Sequence, residues 1–485
     1  MMPDTQAPPP PNRTTGSAPL VAPARPTPSS PWFDPFLPVA GFAALAGMAW
    51  LYATGSSFYG RILAAWMFIP WKYPFIDLAA IPLWVRCWHQ HGYAVYTDAS
   101  WAACGVGPII YSPLWLRFSF LPTDPSWTNI LGLSLVSAFL LSLGLLPRSR
   151  HPADRIIMLL AMFSGPMVFA VERANIDLII FLLAVGAGLC LAGTLIWRVL
   201  AYGLMVLGGL LKFYPLVLLL LALRERLVVL LAVGLAVTAV VAGTAVVFLD
   251  ELRRLTPVPS GQPFQFMWGA RNLPTGFPAM LRAFLRAAGV KTPWVETMAA
   301  SHWVPPVLFL LLLAITLMTA MRLARRADLR RSLAEVPDRA YRFLLVGGVL
   351  VAGCFFAGQN VNYRSVFLLL ILPGILALAR NAPNRPLRRL FTLTTASILC
   401  VVWDLGIRHL VAGLIGASYV LTTDALPIYL IWAVQEAAWW WLITVLVTIL
   451  IRFVDDSPAW HDLQRMVRSP APDRCRPSPD EYGNH

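Results

Sequence analysis

LVVLLAVGLAVTAVVAGTAVVFL, residues 227–249, contains no charged residue. It is longer than the roughly 20 apolar residues that a helix needs to cross the hydrocarbon core of a bilayer. The whole chain has 485 residues, of which 58% are hydrophobic and only 13% are charged, a composition outside the usual range of soluble globular proteins. We therefore expect an all-α polytopic membrane protein.

Hydropathy predicts ten full membrane spans along the chain. They are 35–54, 127–146, 156–171, 176–197, 227–249, 304–323, 341–358, 364–380, 391–412 and 428–451. Together they form one transmembrane domain over residues 32–454. The Pro- and Ser-rich segment 1–31 is expected to be a disordered cytoplasmic tail, and the polar segment 455–485 a second cytoplasmic tail.

The chain is basic, with a formal net charge of +14. Its Arg residues concentrate in RSRHPADR (148–155), RLARRADLRR (322–331) and RNAPNRPLRR (380–389). Because Arg-rich loops of membrane proteins stay in the cytoplasm, these three loops are expected inside the cell. The sequence contains no Lys/Arg-rich soluble domain, so the charge does not indicate a nucleic-acid partner.

The stretch 199–223 decides the topology, because it is apolar but interrupted by KFYP (212–215). The three Arg-rich loops all fall inside only if this stretch crosses the membrane an even number of times. We therefore expect two short helices, 199–211 and 213–223, that form a broken hairpin with Lys212 at its tip. Irregular backbone at such a depth requires surrounding protein or a water-filled cavity, so the break predicts a cavity.

With both termini in the cytoplasm, the long loops 55–126 and 250–303 lie outside, and unusual polar residues converge on that side. They are Asp77, ERAN (172–175), Lys212, Arg271 with Asn272, and QNVNYR (359–364). A site with one carboxylate and several cations is suited to binding a phosphate-bearing amphiphile. Cations stabilise a phosphate leaving group, and a carboxylate can accept the proton of an attacking hydroxyl.

Several of these residues also have an ordinary structural explanation. Asp77 could form a salt bridge with Lys72 or Arg61. Lys212 could extend to the lipid headgroups, and Arg364 could simply begin a helix at the membrane boundary. At the level of sequence these alternatives stay open.

Three further pairs of residues have more than one interpretation. Glu172 and Arg173 could cap a tight turn. Cys87 and Cys104 share one outer loop and could form a disulfide or remain free. HQH (89–91) contains metal-binding residue types, but the i, i+2 spacing is poor on a helix and no further ligand is evident, so we expect no metal.

The order of four motifs is similar to that of a known family. After Asp77 come GYAVY (92–96), YSPL (111–114), ERANIDLIIFLLA (172–184) and LKFYPL (211–216). In this order the chain resembles glycosyltransferase family 87, the polyprenyl-phosphate-mannose-dependent mannosyltransferases of the GT-C superfamily. The similarity extends over most of the membrane domain.

The resemblance implies a GT-C-type fold and transfer of a sugar, with mannose as the first candidate, from a polyprenyl-phosphate donor on the extracytoplasmic face of the cell membrane. It assigns Asp77 as the base and Lys212 as a contact of the donor phosphate. We expect an inverting reaction without cofactor or metal, and a glycolipid or glycan acceptor.

The expected site is larger than these two residues. Donor-phosphate contacts are expected from Lys212, Arg364, Arg173 and Arg271, and cavity contacts from Tyr96, Tyr111, Glu172, Asn175, Tyr214, Asn272 and Asn362. Two other functions remain open. The broken hairpin with a charged tip is also a feature of transporters, so a lipid or solute transporter or flippase could use the same cavity. An inactive assembly protein is the third candidate.

Overall fold

The computed structural model of the chain describes residues 32–66, 73–118, 120, 122, 124–149, 151–255, 266–290, 301–416 and 425–468. The α-helices are α1 (Phe36–Ala53), α2 (Ser57–Ala65), α3 (Ile76–His91), α4 (Ala99–Cys104), α5 (Thr128–Leu143), α6 (Pro152–Met162), α7 (Gly165–Arg173), α8 (Asp177–Cys190), α9 (Leu195–Lys212), α10 (Leu227–Val247), α11 (Leu249–Arg254), α12 (Asn272–Ala287), α13 (Val304–Ala324), α14 (Ala327–Ala334), α15 (Asp338–Ala357), α16 (Leu368–Asn381), α17 (Arg385–Leu414), α18 (Leu426–Asp455) and α19 (Pro458–Arg468).

Other regular structure within the described ranges is short. The 3-10 helices are Gly92–Tyr96, Pro113–Arg117, Pro125–Trp127, Tyr214–Arg224 and Asn362–Phe367. Strands β1 (Met267–Trp268) and β2 (Asn360–Val361) form a two-stranded antiparallel ladder.

Eight helical segments of the described chain are long and apolar enough to cross a membrane. They are α1, α9, α10, α13, α15, the combined segment Asn362–Asn381, α17 and α18. The pair α6 and α7, bent by 52°, adds a ninth if it forms one span. The all-α polytopic architecture is therefore confirmed. The predicted count of ten full spans is not, because α5 has 16 residues and α8 only 14.

The uncharged run 227–249 contains α10. None of its membrane-length window is buried inside the protein, and side chains such as Val228 (79% exposed) and Leu235 (74% exposed) lie on the surface. Burial of apolar surface is worth about 25 cal/mol per Å². A helix of this composition is therefore stable on the surface only where hydrocarbon chains surround it.

The predicted break in the stretch 199–223 is present, although its first arm is longer than expected. Helix α9 begins at Leu195 and ends at Lys212, and the chain turns at Phe213, whose φ of 59° is unfavourable for a residue with a side chain. Pro215 then prevents continuation of the helix, because it has no N–H and its ring would clash with the preceding turn. The chain continues as the 3-10 helix Tyr214–Arg224.

The two arms of this hairpin run out and back. Near its start, Arg198 lies 3.3 Å from the carboxylate of Glu225, and the Tyr202 hydroxyl donates to the same carboxylate at 2.8 Å. Glu225 directly follows the 3-10 helix that ends at Arg224. The segment therefore begins and ends at one end of the bundle.

The three Arg-rich loops lie together at one end of the bundle, which we call the Arg-rich end. Arg380 donates to the Ser149 hydroxyl at 3.3 Å and forms an ion pair with Asp154. Asn384 donates to the carboxylate of Asp328 at 2.7 Å. These contacts join segments far apart in sequence, as expected for loops on one side of a membrane.

The opposite end carries the described parts of 55–126 and 250–303, and we call it the loop-rich end. Helices α2, α3, α4, α11 and α12 belong to it. Cys87 of α3 and Cys104 of α4 form a disulfide, with their Cα atoms 5.6 Å apart. The alternative left open by the sequence is therefore decided in favour of a disulfide.

We expect the double variant Cys87→Ser/Cys104→Ser to lose about 3 kcal/mol of unfolding free energy, because the bridge closes a loop whose freedom in the unfolded chain is then restored. Thermal unfolding of the purified protein in detergent measures the loss, with Cys190→Ser as the control at a free cysteine. Reaction of Cys87 and Cys104 with maleimide under non-reducing conditions would contradict the disulfide.

Candidate functional site

Asp77 lies in the first turn of α3, at the loop-rich end. The chain enters this helix through Phe75, whose φ of 65° is left-handed, and the Phe75 N–H donates to the Glu172 carbonyl at 2.8 Å. The start of α3 is thereby fixed to the end of α7. The unpaired N–H groups of a helix N-terminus also favour a carboxylate at this position.

The partners of Asp77 come from the turn between α7 and α8. Asn175 Nδ2 donates to Asp77 Oδ2 at 2.7 Å, and Arg173 Nη1 lies 3.8 Å from Oδ1. Arg61 instead donates to the Ser57 hydroxyl at 3.0 Å. The alternative pairing with Lys72 lies outside the described residues. The Asp77 side chain is 27% exposed, so a ligand can reach its carboxylate.

Asn175 can present only its amide nitrogen to Asp77. Its Oδ1 accepts the Asp177 N–H at 2.9 Å and faces Lys212 Nζ at 3.4 Å. Both of these groups are donors, so the amide oxygen must point toward them and the NH₂ group toward Asp77. Asn175, expected to line a cavity, therefore orients the Asp77 carboxylate.

Asp177 is the centre of a buried ionic cluster beneath this turn. Its Oδ1 receives hydrogen bonds from Lys212 Nζ at 2.6 Å and from the Tyr214 hydroxyl at 2.7 Å, and Arg364 Nε lies 3.5 Å from Oδ2. The Asp177 side chain is fully buried. Sequence reasoning missed this residue, although an acid in the apolar run IDLII signals a buried cationic partner.

Lys212 is enclosed by this cluster. Its ammonium group lies 5.0 Å from the ring centre of Tyr111 and 5.5 Å from that of Tyr363, and only 4% of the side chain is exposed. The guanidinium of Arg364 lies 5.0 Å from the Tyr214 ring and stays 23% exposed. Direct contact with a phosphate is therefore geometrically easier for Arg364 than for Lys212.

Asn360 of β2 orients Arg364, and sequence reasoning did not assign it a role. Its amide nitrogen donates to the carbonyls of Cys354 at 2.7 Å and Gly358 at 2.9 Å. The amide oxygen is thereby left to accept a hydrogen bond from Arg364. The ladder of β1 and β2 thus connects loop 250–303 to the ionic cluster.

The cluster is balanced in formal charge, which differs from the expected single carboxylate with several cations. Its carboxylates are Asp77, Glu172 and Asp177, and its cations are Arg173, Lys212 and Arg364. Burial raises the pKa of the Asp77 carboxyl above its ordinary value, while the Asn175 hydrogen bond and the charge of Arg173 lower it. A raised pKa brings a carboxylate closer to the range in which general bases are effective.

Four of the expected site residues have other surroundings. Tyr96 is buried with its ring centre 6.2 Å from that of Trp88, and Asn362 is buried two residues before Arg364. Asn272 donates to Glu436 of α18 at 2.6 Å, and its neighbour Arg271 is exposed. The structure thus brings together the other expected residues, which are Asp77, Tyr111, Glu172, Arg173, Asn175, Lys212, Tyr214 and Arg364.

An apolar groove of about 330 Å³ adjoins this cluster. Its walls come from α1, α2, α5, α6 and α7, and Phe75 and Glu172 belong to its lining. Lipid sites are concave and mostly apolar, with a few polar groups that orient the head of the ligand. The groove therefore offers space for a hydrocarbon chain beside Asp77.

Comparison of the chain with protein-family models, with curated proteins and with solved structures found no match. The resemblance carried by the four motifs therefore stays a proposal.

Proposed function

We propose that the protein is an integral-membrane glycosyltransferase that moves a sugar, with mannose as the first candidate, from a polyprenyl-phosphate donor to a glycolipid or glycan acceptor. The observation that carries this proposal is Asp77, a partly exposed carboxylate that Asn175 orients at 2.7 Å beside an apolar groove. A base beside a lipid-sized groove suits a reaction between a hydroxyl group and a lipid-linked sugar.

In the proposed reaction Asp77 accepts the proton of the acceptor hydroxyl. The acceptor oxygen attacks the anomeric carbon of the donor sugar, and a new carbon–oxygen bond forms there. The bond between that carbon and the phosphate oxygen breaks on the opposite face, and polyprenyl phosphate leaves with both electrons. A β-linked donor therefore gives an α-glycoside.

The leaving phosphate requires positive charge as the bond breaks. Arg364 and Arg173 are the proposed contacts, since their side chains are 23% and 12% exposed. Lys212 acts through its neighbours instead, by holding Asn175 and Asp177 in place. Arg271 is exposed outside the cluster and is not part of this proposal.

We propose that the loop-rich end faces the outside of the cell membrane and that both termini are cytoplasmic. Two observations support this orientation. The three Arg-rich loops share the opposite end, in agreement with the positive-inside rule. The Cys87–Cys104 disulfide suits an oxidising compartment.

The experiment that tests this function uses wild-type protein in proteoliposomes with a panel of polyprenyl-phosphate sugars, each labelled in the sugar. We expect the label of one donor to move onto an acceptor in a membrane lipid extract, with release of polyprenyl phosphate. Retention of every label on its donor would contradict the proposal.

A lipid or solute transporter is the second candidate, and one observation favours it. Asp404 and Arg408 of α17 and Glu436 of α18 are buried within membrane-length helices, where ionisable residues often mark transport pathways. Asp404 pairs with Arg408, and Glu436 accepts from Asn272 at 2.6 Å. We prefer the transferase because these three groups are buried and paired within the protein. Asp77 is also paired, but its side chain is partly exposed and can meet a substrate.

The pH dependence of transfer tests the role of Asn175. Asp77 can act as a base only when its carboxyl group is deprotonated. Transfer is therefore lost as the pH falls through the pKa of Asp77. The Asn175 hydrogen bond lowers that pKa, so Asn175→Ala should raise it and move the acidic limb of kcat/KM to higher pH. The control is Asn381→Ala, at an exposed residue of the Arg-rich end. A lower rate with an unmoved limb would indicate a purely structural role.

A further inference from the structure

The groove beside the ionic cluster runs along α1 from Gly41 to Tyr52. At 1.5 Å per residue this is a length of about 16 Å, enough for a substantial part of a lipid chain. Its apolar lining includes Leu45, Met48, Leu133, Phe163, Met167 and Val168. A chain bound there would lie between membrane helices, with its head toward the loop-rich end.

Glu172 supplies a hydrogen-bond acceptor, its carboxylate, at the end of the groove nearest the ionic cluster. Its side chain is only 5% exposed, and Arg173 Nε lies 3.1 Å from Oε2. Apart from this ion pair, neither carboxylate oxygen of Glu172 receives a hydrogen bond from the described chain. Because buried polar atoms in folded proteins are nearly always hydrogen-bonded, this carboxylate has room for a further donor besides Arg173.

The other polar residues of the groove include Tyr52, Tyr59 and Asn129, all uncharged. Burial and the nearby charge of Glu172 raise the pKa of Tyr59 to about 12, so its hydroxyl stays protonated. Among the described residues, no Lys or Arg belongs to the lining of this groove. Among the described residues the cation beside Glu172 is Arg173, which already pairs with both Glu172 and Asp77, so a phosphate head at this end of the groove would meet a carboxylate whose neighbouring cation is shared, and is disfavoured.

We propose that this groove binds an uncharged, hydroxyl-bearing lipid, whose chain fills the groove and whose head-group hydroxyl donates to Glu172. Arg173 already supplies a positive charge to that carboxylate, so a neutral donor completes its hydrogen bonding without adding a second cation. An anionic phospholipid and the phosphate head of the polyprenyl donor do not fit this end of the groove.

The role of this lipid rests on the proposed transferase function. Phe75 lines the groove and lies two residues before Asp77, and Arg173 contacts both Glu172 and Asp77. A polyol head held by Glu172 therefore presents a further hydroxyl to Asp77. The bound lipid is then the acceptor of the sugar, which assigns the acceptor to membrane lipids rather than to soluble glycans.

Photocrosslinking tests the binding step without requiring transfer. Full-length protein in phosphatidylcholine vesicles is exposed to three lipids with the same diazirine-bearing chains: a diacylglycerol, a phosphatidic acid and an alkylammonium lipid. We expect the diacylglycerol to label peptides of α1, α5 and α7 most strongly. Equal or stronger labelling of these peptides by phosphatidic acid or by the ammonium lipid would overturn the proposal.

Variants then locate the site. Glu172→Leu removes one hydrogen bond to a charged acceptor and should reduce diacylglycerol labelling about tenfold. Ala49→Trp fills the groove from an exposed position of α1 and should abolish labelling, whereas Ala46→Trp, exposed on the same helix but outside the lining, should leave it unchanged. Equal labelling of the two Trp variants would also overturn the proposal.

The binding result is separable from the proposed function. Selective labelling of a wild-type protein that transfers no sugar would uphold the lipid site and reject the transferase. Transfer without selective labelling would uphold the transferase and reject the lipid site.

Discussion

Replacement of Asp77 by asparagine is expected to lower the rate of sugar transfer by about 10²–10⁴-fold, the usual contribution of a general base. Asparagine has nearly the same size, and its amide oxygen can still accept the hydrogen bond that Asn175 donates. It cannot accept the proton of the acceptor hydroxyl. The initial rate of label transfer in proteoliposomes measures the effect, and thermal unfolding should show a folded protein.

The matched control for this variant is Asp98→Asn. Asp98 is also a carboxylate of loop 55–126, but it is exposed and lies outside the cluster. We expect Asp98→Asn to keep the wild-type rate. Near-normal transfer by Asp77→Asn would remove the base from the proposed mechanism.

Replacement of Asp177 by asparagine is expected to cost about 3–5 kcal/mol of unfolding free energy, as for other buried ion pairs that lose one partner. The variant leaves Lys212 and Arg364 without the carboxylate that now lies 2.6 Å and 3.5 Å from them. Two cations would then be close together in a buried site. Denaturant unfolding in mixed micelles measures the loss.

A double variant distinguishes the ion pair from a general packing defect. Asp177→Asn/Lys212→Met removes both charges, so its loss should be smaller than the sum of the two single losses. The control is Asp250→Asn, since Asp250 is 71% exposed and surface substitutions usually change stability by less than about 0.5 kcal/mol. Additive losses in the double variant would contradict the ionic cluster.

Much of the fold was predictable because a bilayer imposes simple rules on sequence. The apolar runs located most of the membrane-length helices, and the interruption KFYP correctly predicted that the helix breaks at Lys212, although α9 is longer than the short helix expected there. Span 176–197 was predicted too long. Helix α8 ends at Cys190, and the chain turns through Gly193 before α9 begins at Leu195. Apolar composition alone does not distinguish a helix from an apolar turn.

The site was predictable only where its residues lie close to recognisable motifs. ERAN and LKFYPL led to Arg173, Asn175 and Lys212, which the structure brings together. Asp177 was missed because its partners come from α9 and from residue 364, far along the chain. Asn272 was assigned to the cavity, but its partner Glu436 is 164 residues away within a membrane helix. Such tertiary pairings leave no local pattern in the sequence.

The most direct test follows one labelled donor through wild-type protein. Proteoliposomes receive polyprenyl-phosphate mannose labelled in the sugar, together with a lipid extract as acceptor, and both the chemical form and the leaflet of the label are determined. We predict that the label becomes covalently attached to an acceptor lipid while polyprenyl phosphate is released. Movement of the label between leaflets while it stays on polyprenyl phosphate would contradict the transferase and identify a transporter.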